Sequence, residues 1–448
     1  MVQRTMMHDR KVLAEARGGR TANRERLRRY VPLDSGPQEI RSLDGLRAIA
    51  ALLVVLYHAF AFSVSTIRVS LGPINLYPAW NYGRTGVQLF FVLSGFLLFL
   101  PYARAILLGQ QLPAARKFYQ RRILRIVPAY WVCLSILVLI NLPTYLNAVG
   151  LADVLTHVVF LHNLIPSFDS SIQGPFWTMA VETQYYLLLP AIAWLIARFV
   201  ADTRSLQRLL IGACGFIAVA VGMREMAALA SVRLPQLHGV PLQLATGGLL
   251  AVYGTEGRYL EIFGVGMLCA IFYMARTEGR LRFSPRMAQI GTVVLLIAAV
   301  AASCELAQLI AVRRTAITSA CYACLYPRDA EIIFGPLMLG VAYGLLLLAI
   351  LFSTGTLRRL FALAPLRFVG LISYSLYLWH LPLIIGVQAY TPAWAPGLKL
   401  IVNLGVVIVA IGVAYVSYQL VERPFLRRRH EKASDQPMFI MPVISPGT

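Results

Sequence analysis

Charge is what this sequence has least of. Only 14% of its 448 residues are Asp, Glu, Lys or Arg, against roughly 25% in an ordinary soluble domain. The acidic sign is scarcer still, with 20 Asp and Glu facing 41 Lys and Arg. Six scattered cysteines are too few for a disulfide scaffold, and a hydrophobic content of 58% excludes a disordered or collagen-like chain. Nucleotide-binding glycine loops, a Walker loop, a zinc-type HExxH and a GxSxG elbow are all missing. Cys321 and Cys324 form one CxxC with no second ligand pair. They read as a local disulfide or free thiols, and no metal is expected.

What the chain does have is long apolar runs. Crossing a hydrocarbon layer of roughly 30 Å takes about 20 such residues. Ten stretches qualify, near 44–65, 85–103, 126–142, 176–197, 209–229, 259–275, 287–311, 330–353, 369–390 and 398–420. An eleventh, 152–165, is too short and carries two histidines, which marks a half-span or interfacial helix. The expected fold class is therefore all-α. It is a polytopic integral membrane protein of about ten transmembrane helices, here residues 41–425, flanked by basic unfolded tails at 1–40 and 426–448.

The formal net charge of +21 would point to nucleic acid in a soluble protein. Sorted by gap, 31 of the 41 basic residues fall on the side shared by the two termini. That asymmetry is the positive-inside pattern for cytoplasmic N and C termini in a plasma or inner membrane. The charge is mostly a record of orientation, with the basic N-terminal tail suited to anionic lipid, and no nucleic-acid partner is needed.

Polar groups inside spans are costly and therefore informative. Arg47 lies near the inner end of the first span, and His58 follows eleven residues later, roughly 16 Å further in at a helical rise of about 1.5 Å per residue. The same arithmetic puts Ser94 roughly 13 Å and Glu182 roughly 9 Å below the outer surface, and His380 roughly 16 Å from the inner end of its span. Four polar side chains from four spans thus share a central slab, as a water-accessible chamber would require. Each also has a packing role open to it: helix-to-helix hydrogen bonding for the histidines, close approach for Ser94 beside Gly95, ion pairing for Glu182. Asp44, just ahead of the first span, reads as a helix cap. Arg121, Arg122 and Arg125 form the densest inner cluster. Guanidinium forks suit phosphate oxygens, so this mouth fits a polyphosphorylated donor.

The segments carrying these residues resemble the membrane acyltransferase 3 family. They are SLDGLRAIAALLVVLYHAF with Arg47-x10-His58, GVQLFFVLSGFLLF at Ser94, RRILRIVPAYW, GPFWTMAVETQYYLLLP at Glu182, RYLEIFGVGML, ISYSLYLWHLPLI at His380, and VERPF at Glu422. The resemblance implies transfer of an acyl group, most commonly acetyl, from cytoplasmic acyl-CoA to a hydroxyl on an extracytoplasmic glycan or glycolipid. Some relatives instead acylate sugars of small natural products such as macrolides. It implies His58, Arg47 and Glu182 as the catalytic set and Arg121, Arg122 and Arg125 as the acyl-CoA site. Ser94, Arg258, Glu261 and His380 take substrate or supporting roles. Some relatives fuse a hydrolase-like SGNH domain; none follows here, so a handover through one would need a separate protein. His58 is expected as general base, or alternatively as a transient acyl carrier. A transporter or flippase is the competing class, since buried His, Glu and Arg also suit a proton-coupled carrier.

Overall fold

A computed structural model describes residues 38–64, 70–71, 74–75, 83–165, 167–233, 259–282, 284, 287, 290–291, 293–294, 297, 328–353, 356–391 and 394–426. Two tails, Arg258, Cys321, Cys324 and most of the stretch 287–311 lie outside these residues.

The chain begins with α1 (Gln38–Val64), a pair of two-residue antiparallel strands (Ser70–Leu71 and Ile74–Asn75), α2 (Gly86–Leu108) and α3 (Ala115–Ile140). Short α4 (Leu142–Tyr145) and α5 (Ala148–Val158) precede α6 (Phe176–Val200), α7 (Leu206–Arg233) and α8 (Leu260–Thr277). After these come α9 (Arg328–Phe352), α10 (Thr356–Phe361), α11 (Ala364–Leu371), α12 (Ser373–Gln388) and α13 (Pro396–Ser417), which ends in a π turn at Tyr418–Glu422. The protein is an all-α multi-pass membrane protein. Seven helices among the described residues are long and apolar enough to span, or eight when α11 and α12, bent by 72°, count as one. The short 152–165 stretch forms the 11-residue α5 and a 3-10 turn at His162–Leu164, as its length requires.

The core is a crossing of α2 and α8 so close that glycine is obligatory. A Cβ on Gly95 would strike the Phe263 carbonyl, and one on Gly266 would strike the Val92 carbonyl. With no water between helices in a bilayer, such small-residue contacts and the dispersion they permit hold spans together. Aromatic rings fill the flanks: Phe263 stacks on Phe91 at 4.7 Å and on Tyr185 at 4.0 Å. On α1, buried Ala48, Ala50, Ala51 and Ala59 do similar work, and Gly45 meets the Phe361 carbonyl. By contrast α3 exposes Ile123, Trp131, Ile136, Leu139 and Ile140, as a lipid-facing helix should.

Asp44 is not a cap. Helix α1 starts at Gln38, so Asp44 sits inside it, with its carbonyl packed where Gly370 leaves room for it. The basic gaps do gather at one end of the bundle. Arg280 donates to the carbonyls of Arg204, at 2.5 Å, and Leu107, at 2.6 Å, and Arg104 pairs with Glu278 at 3.8 Å. The gaps after α2, α6 and α8 therefore meet on the same side of the molecule.

Candidate functional site

A cavity of about 90 Å³ lies between α1, α2, α3, α6 and α12, lined from Val87 and Thr178 near one end of the bundle to Arg122 towards the basic end. That is room for several waters, since one water needs about 10–15 Å³ on the same measure. Its polar lining comes from Arg47, Ser94, Arg122, Arg125, Thr178, Glu182 and Tyr186, with Ser373, Tyr374 and Tyr377 on α12. Arg122 and Arg125 reach it because helix α3 turns them inward; Arg121, one residue away, is exposed and does not line it.

Each cation is held differently. The Arg122 guanidinium lies 5.9 Å from the ring centres of both Phe118 and Tyr186, distances at which ring faces attract cations. Arg125 donates to Glu422 at 3.1 Å and sits 5.9 Å from the Tyr374 ring. The other Glu422 oxygen accepts from Ser375 at 2.5 Å, so the π turn places a carboxylate that is satisfied from two helices. Arg47 lines the cavity and makes no hydrogen bond or ion pair with a described side chain; Asp44, three residues before it on α1, is a counter-charge. The three guanidiniums are faced by Glu182 in the lining and by Glu422 and Asp44 behind it.

Glu182 is fixed from two sides. Ser94 donates to its Oε1 at 2.6 Å, and Tyr186, one turn along α6, donates to the same atom. No described residue hydrogen-bonds Oε2, which leaves it to the cavity.

His58 and His380 also meet, His380 Nε2 lying 3.2 Å from His58 Nδ1. His380 is fully buried and His58 partly so. Neither lines the cavity. Phe90 and Tyr377 do, and they close it on the histidine side: Tyr377 packs 5.7 Å from the His380 ring, and Phe90 packs edge-on to Tyr377 at 6.2 Å. The four polar residues expected in one slab thus form two pairs on either side of an aromatic partition. Tyr377 is itself held by Thr178, whose hydroxyl lies 2.8 Å from its own.

At the other end of the bundle, Glu261 is 1% exposed and locked to Arg224, which packs 5.0 Å from the Tyr259 ring. It has no free face to offer an acceptor, whereas the sequence placed it where one would be met. Arg258 lies outside the described residues. Near the same end, the histidines of 152–165 stack ring on ring: His157 and His162 are 3.9 Å apart and 6° from parallel. Asp153 accepts from the Ser171 hydroxyl at 2.9 Å and lies 3.1 Å from His157. Burial pushes His162 down to about 3 and holds His157 low as well.

Sequence reasoning missed Tyr186, Tyr377 and Phe90. Tyr186 was readable as the residue one helical turn beyond Glu182. Tyr377 and Phe90 carry no sequence signal, because aromatic side chains are common throughout the spans.

A helical bundle with an arginine-lined polar cavity buried among its spans defines a multi-pass membrane protein. The family follows from comparison. The acyltransferase domain model of the acyltransferase 3 type matches residues 40–419, and the chain belongs to that family. It is 27% identical over 375 residues to the peptidoglycan O-acetyltransferase OatA of Listeria monocytogenes, covering 80% of this chain and 50% of that protein. The putative peptidoglycan O-acetyltransferase YrhL of Bacillus subtilis is 26% identical over 422 residues, covering 88% and 55%. The O-acetyltransferase OatA of Staphylococcus aureus is 24% identical over 416 residues, covering 89% and 58%. The chain spans about half the length of these curated relatives. No solved structure matches it significantly.

Proposed function

We propose that this protein is an O-acetyltransferase of the plasma or inner membrane. It takes an acetyl group from acetyl-CoA at the cytoplasmic face and delivers it to a hydroxyl of an extracytoplasmic glycan. The names of its relatives favour a cell-wall glycan over a lipid-linked or natural-product sugar. The observation that carries the donor side is the cavity itself: Arg47, Arg122 and Arg125 converge on one space with a single lining carboxylate. Guanidinium forks match phosphate oxygens. Arg122 and Arg125 lie towards the end where the basic gaps gather, which supports a cytoplasmic placement of the donor side.

In this reading the CoA phosphates dock on the arginines and the thioester arm extends past Phe90 and Tyr377 towards His58. His58 Nε2 accepts the proton of the acceptor hydroxyl as its oxygen attacks the thioester carbon. The C–O bond forms, the C–S bond breaks, and the proton passes from the imidazolium to the departing CoA thiolate. Glu182, held by Ser94 and Tyr186, keeps Oε2 free to orient the donor arm or attract an arginine.

The test is purified protein in nanodiscs with radiolabelled acetyl-CoA and a soluble muropeptide or chito-oligosaccharide acceptor. Acceptor-dependent label transfer that vanishes in His58→Ala, with the variant folded, is the expected result. Acceptor movement across vesicles without CoA release would replace this reading with a carrier.

A further inference from the structure

The contact between His58 and His380 fixes which nitrogen of His58 is available for chemistry. His380 Nδ1 lies 2.8 Å from the Tyr377 carbonyl and 3.2 Å from that of Leu376. Both are acceptors only, so Nδ1 carries the proton, and Nε2 of a neutral His380 must be a bare lone pair. That lone pair is fully buried and needs a donor. The atom within reach is His58 Nδ1 at 3.2 Å.

His58 Nδ1 also lies 2.9 Å from the Val54 carbonyl. Within α1 that oxygen already accepts the His58 backbone N–H, one turn on, and has only its second lone pair to offer. Both atoms facing His58 Nδ1 are therefore acceptors. The opposite tautomer would set its lone pair against two others in a site with little water. We infer that His380 is a positioning residue: its neutral imidazole accepts the Nδ1 proton of His58, holds that ring in one tautomer, and turns a bare Nε2 towards substrate.

This arrangement does what a carboxylate does beneath a catalytic histidine, without a negative charge. When Nε2 takes a proton, Nδ1–H still points at the His380 lone pair and the Val54 carbonyl, so the new imidazolium is stabilised where it forms. A neutral acceptor suits a site between spans, where a second carboxylate would be costly to desolvate. The ring angle fits a hydrogen bond better than stacking: the two imidazoles are 5.1 Å apart at 53°.

The inference rests on the proposed role of His58, but its first test does not. Nitrogen-15 NMR of histidine-labelled protein in nanodiscs, with His58→Gln to assign the signal, reports the tautomer directly. The expected result is a protonated Nδ1 and an unprotonated Nε2 at His58, with a larger share of the Nε2-protonated form in His380→Leu, where the Val54 carbonyl alone still accepts from Nδ1. A protonated Nε2 in the parent protein, or a tautomer unchanged in His380→Leu, would overturn the inference whether or not the protein transfers acetyl groups. In turnover, His380→Leu should lower kcat at least tenfold with KM for acetyl-CoA unchanged. His380→Gln, whose amide oxygen can accept the same proton, should recover most of that loss. Equal kcat in the parent and His380→Leu would also overturn it. Should the leucine variant fail to fold, the parent spectrum and the glutamine variant still decide. An inactive parent with the expected tautomer removes the acyltransferase reading alone.

Discussion

Ser94 on α2 and Glu182 on α6 are joined by a 2.6 Å hydrogen bond, and the Tyr186 hydroxyl donates to the same carboxylate oxygen. Two donors on one oxygen hold the carboxyl plane still and leave the second oxygen for the cavity. Ser94→Ala should therefore cost activity by loosening Glu182, not by removing a nucleophile. A hydrogen bond to a charged group contributes about 1.5–3 kcal/mol, so a fall of roughly tenfold or more in kcat/KM is expected. Ser94→Ala combined with Tyr186→Phe should show a coupling energy in a double-mutant cycle; strictly additive losses would argue against a shared oxygen.

The arginines of the motif should not behave alike. Arg47→Ala and Arg122→Ala are expected to raise KM for acetyl-CoA at least tenfold, because each guanidinium lines the cavity. Arg121→Ala should leave it within about twofold, as expected of an exposed surface cation. Initial-rate kinetics across acetyl-CoA concentrations make the comparison, and equal effects at all three positions would count against the cavity as donor site.

Glu422 stabilises the site through Arg125. Replacing it with Ala leaves Arg125 close to Arg47 and Arg122 without its carboxylate. Losing one partner of a buried pair costs about 3–5 kcal/mol, and less here because Arg125 is 21% exposed. Thermal unfolding in detergent should show a lowered midpoint for Glu422→Ala and a smaller drop for Glu422→Gln, whose amide oxygen can still accept from Arg125.

Gly95→Ala tests the α2–α8 crossing. The added methyl meets the Phe263 backbone, which has no flexible end to move aside. A forced helix shift of this kind typically costs about 1–3 kcal/mol, sometimes more. Gly386→Ala, where nothing lies within 4 Å, is the control and should leave the protein unaltered. Size-exclusion profiles and melting midpoints compare the two.

Acid should loosen the segment around α5. His162 is held neutral in the fold, with a pKa of about 3 caused first by burial and then by the neighbouring His157. An unfolded histidine titrates near 6.5, so between these values the unfolded chain takes up a proton that the folded one refuses. Its stability is complete above about pH 6.5 and is lost as pH falls towards 3, by roughly 2 kcal/mol at pH 5. Asp153 and Asp169 face His157 and offset part of the effect. Protection factors across residues 148–164, corrected for the slower intrinsic amide exchange at low pH, should fall between pH 7.5 and 5, and less so in His162→Gln.

The helical spans and the gathering of basic gaps were legible because both follow from composition along a line: hydrophobic length sets the first, charge placement the second. Ser94, Glu182, His58 and His380 were legible as costly polar groups at depth. Depth along an axis says nothing about rotation around it. That is why Arg121 was grouped with Arg122 and Arg125 although it faces outward, and why one slab became two pairs divided by Phe90 and Tyr377. Glu261 looked available because its partner, Arg224, lies on another helix and 37 positions away. Such pairings are set by tertiary packing and leave no local trace.

The carboxylate that balances Arg125 stands 297 positions after it in the chain, on the π turn beyond α13. During synthesis the arginines enter the bundle long before Glu422 leaves the ribosome. Until α13 and its π turn are in place, the arginine-lined cavity lacks that counter-charge and Arg125 is loosely held. Finishing the arginine cavity and finishing the bundle are thus one event, and a partly inserted chain holds only part of either.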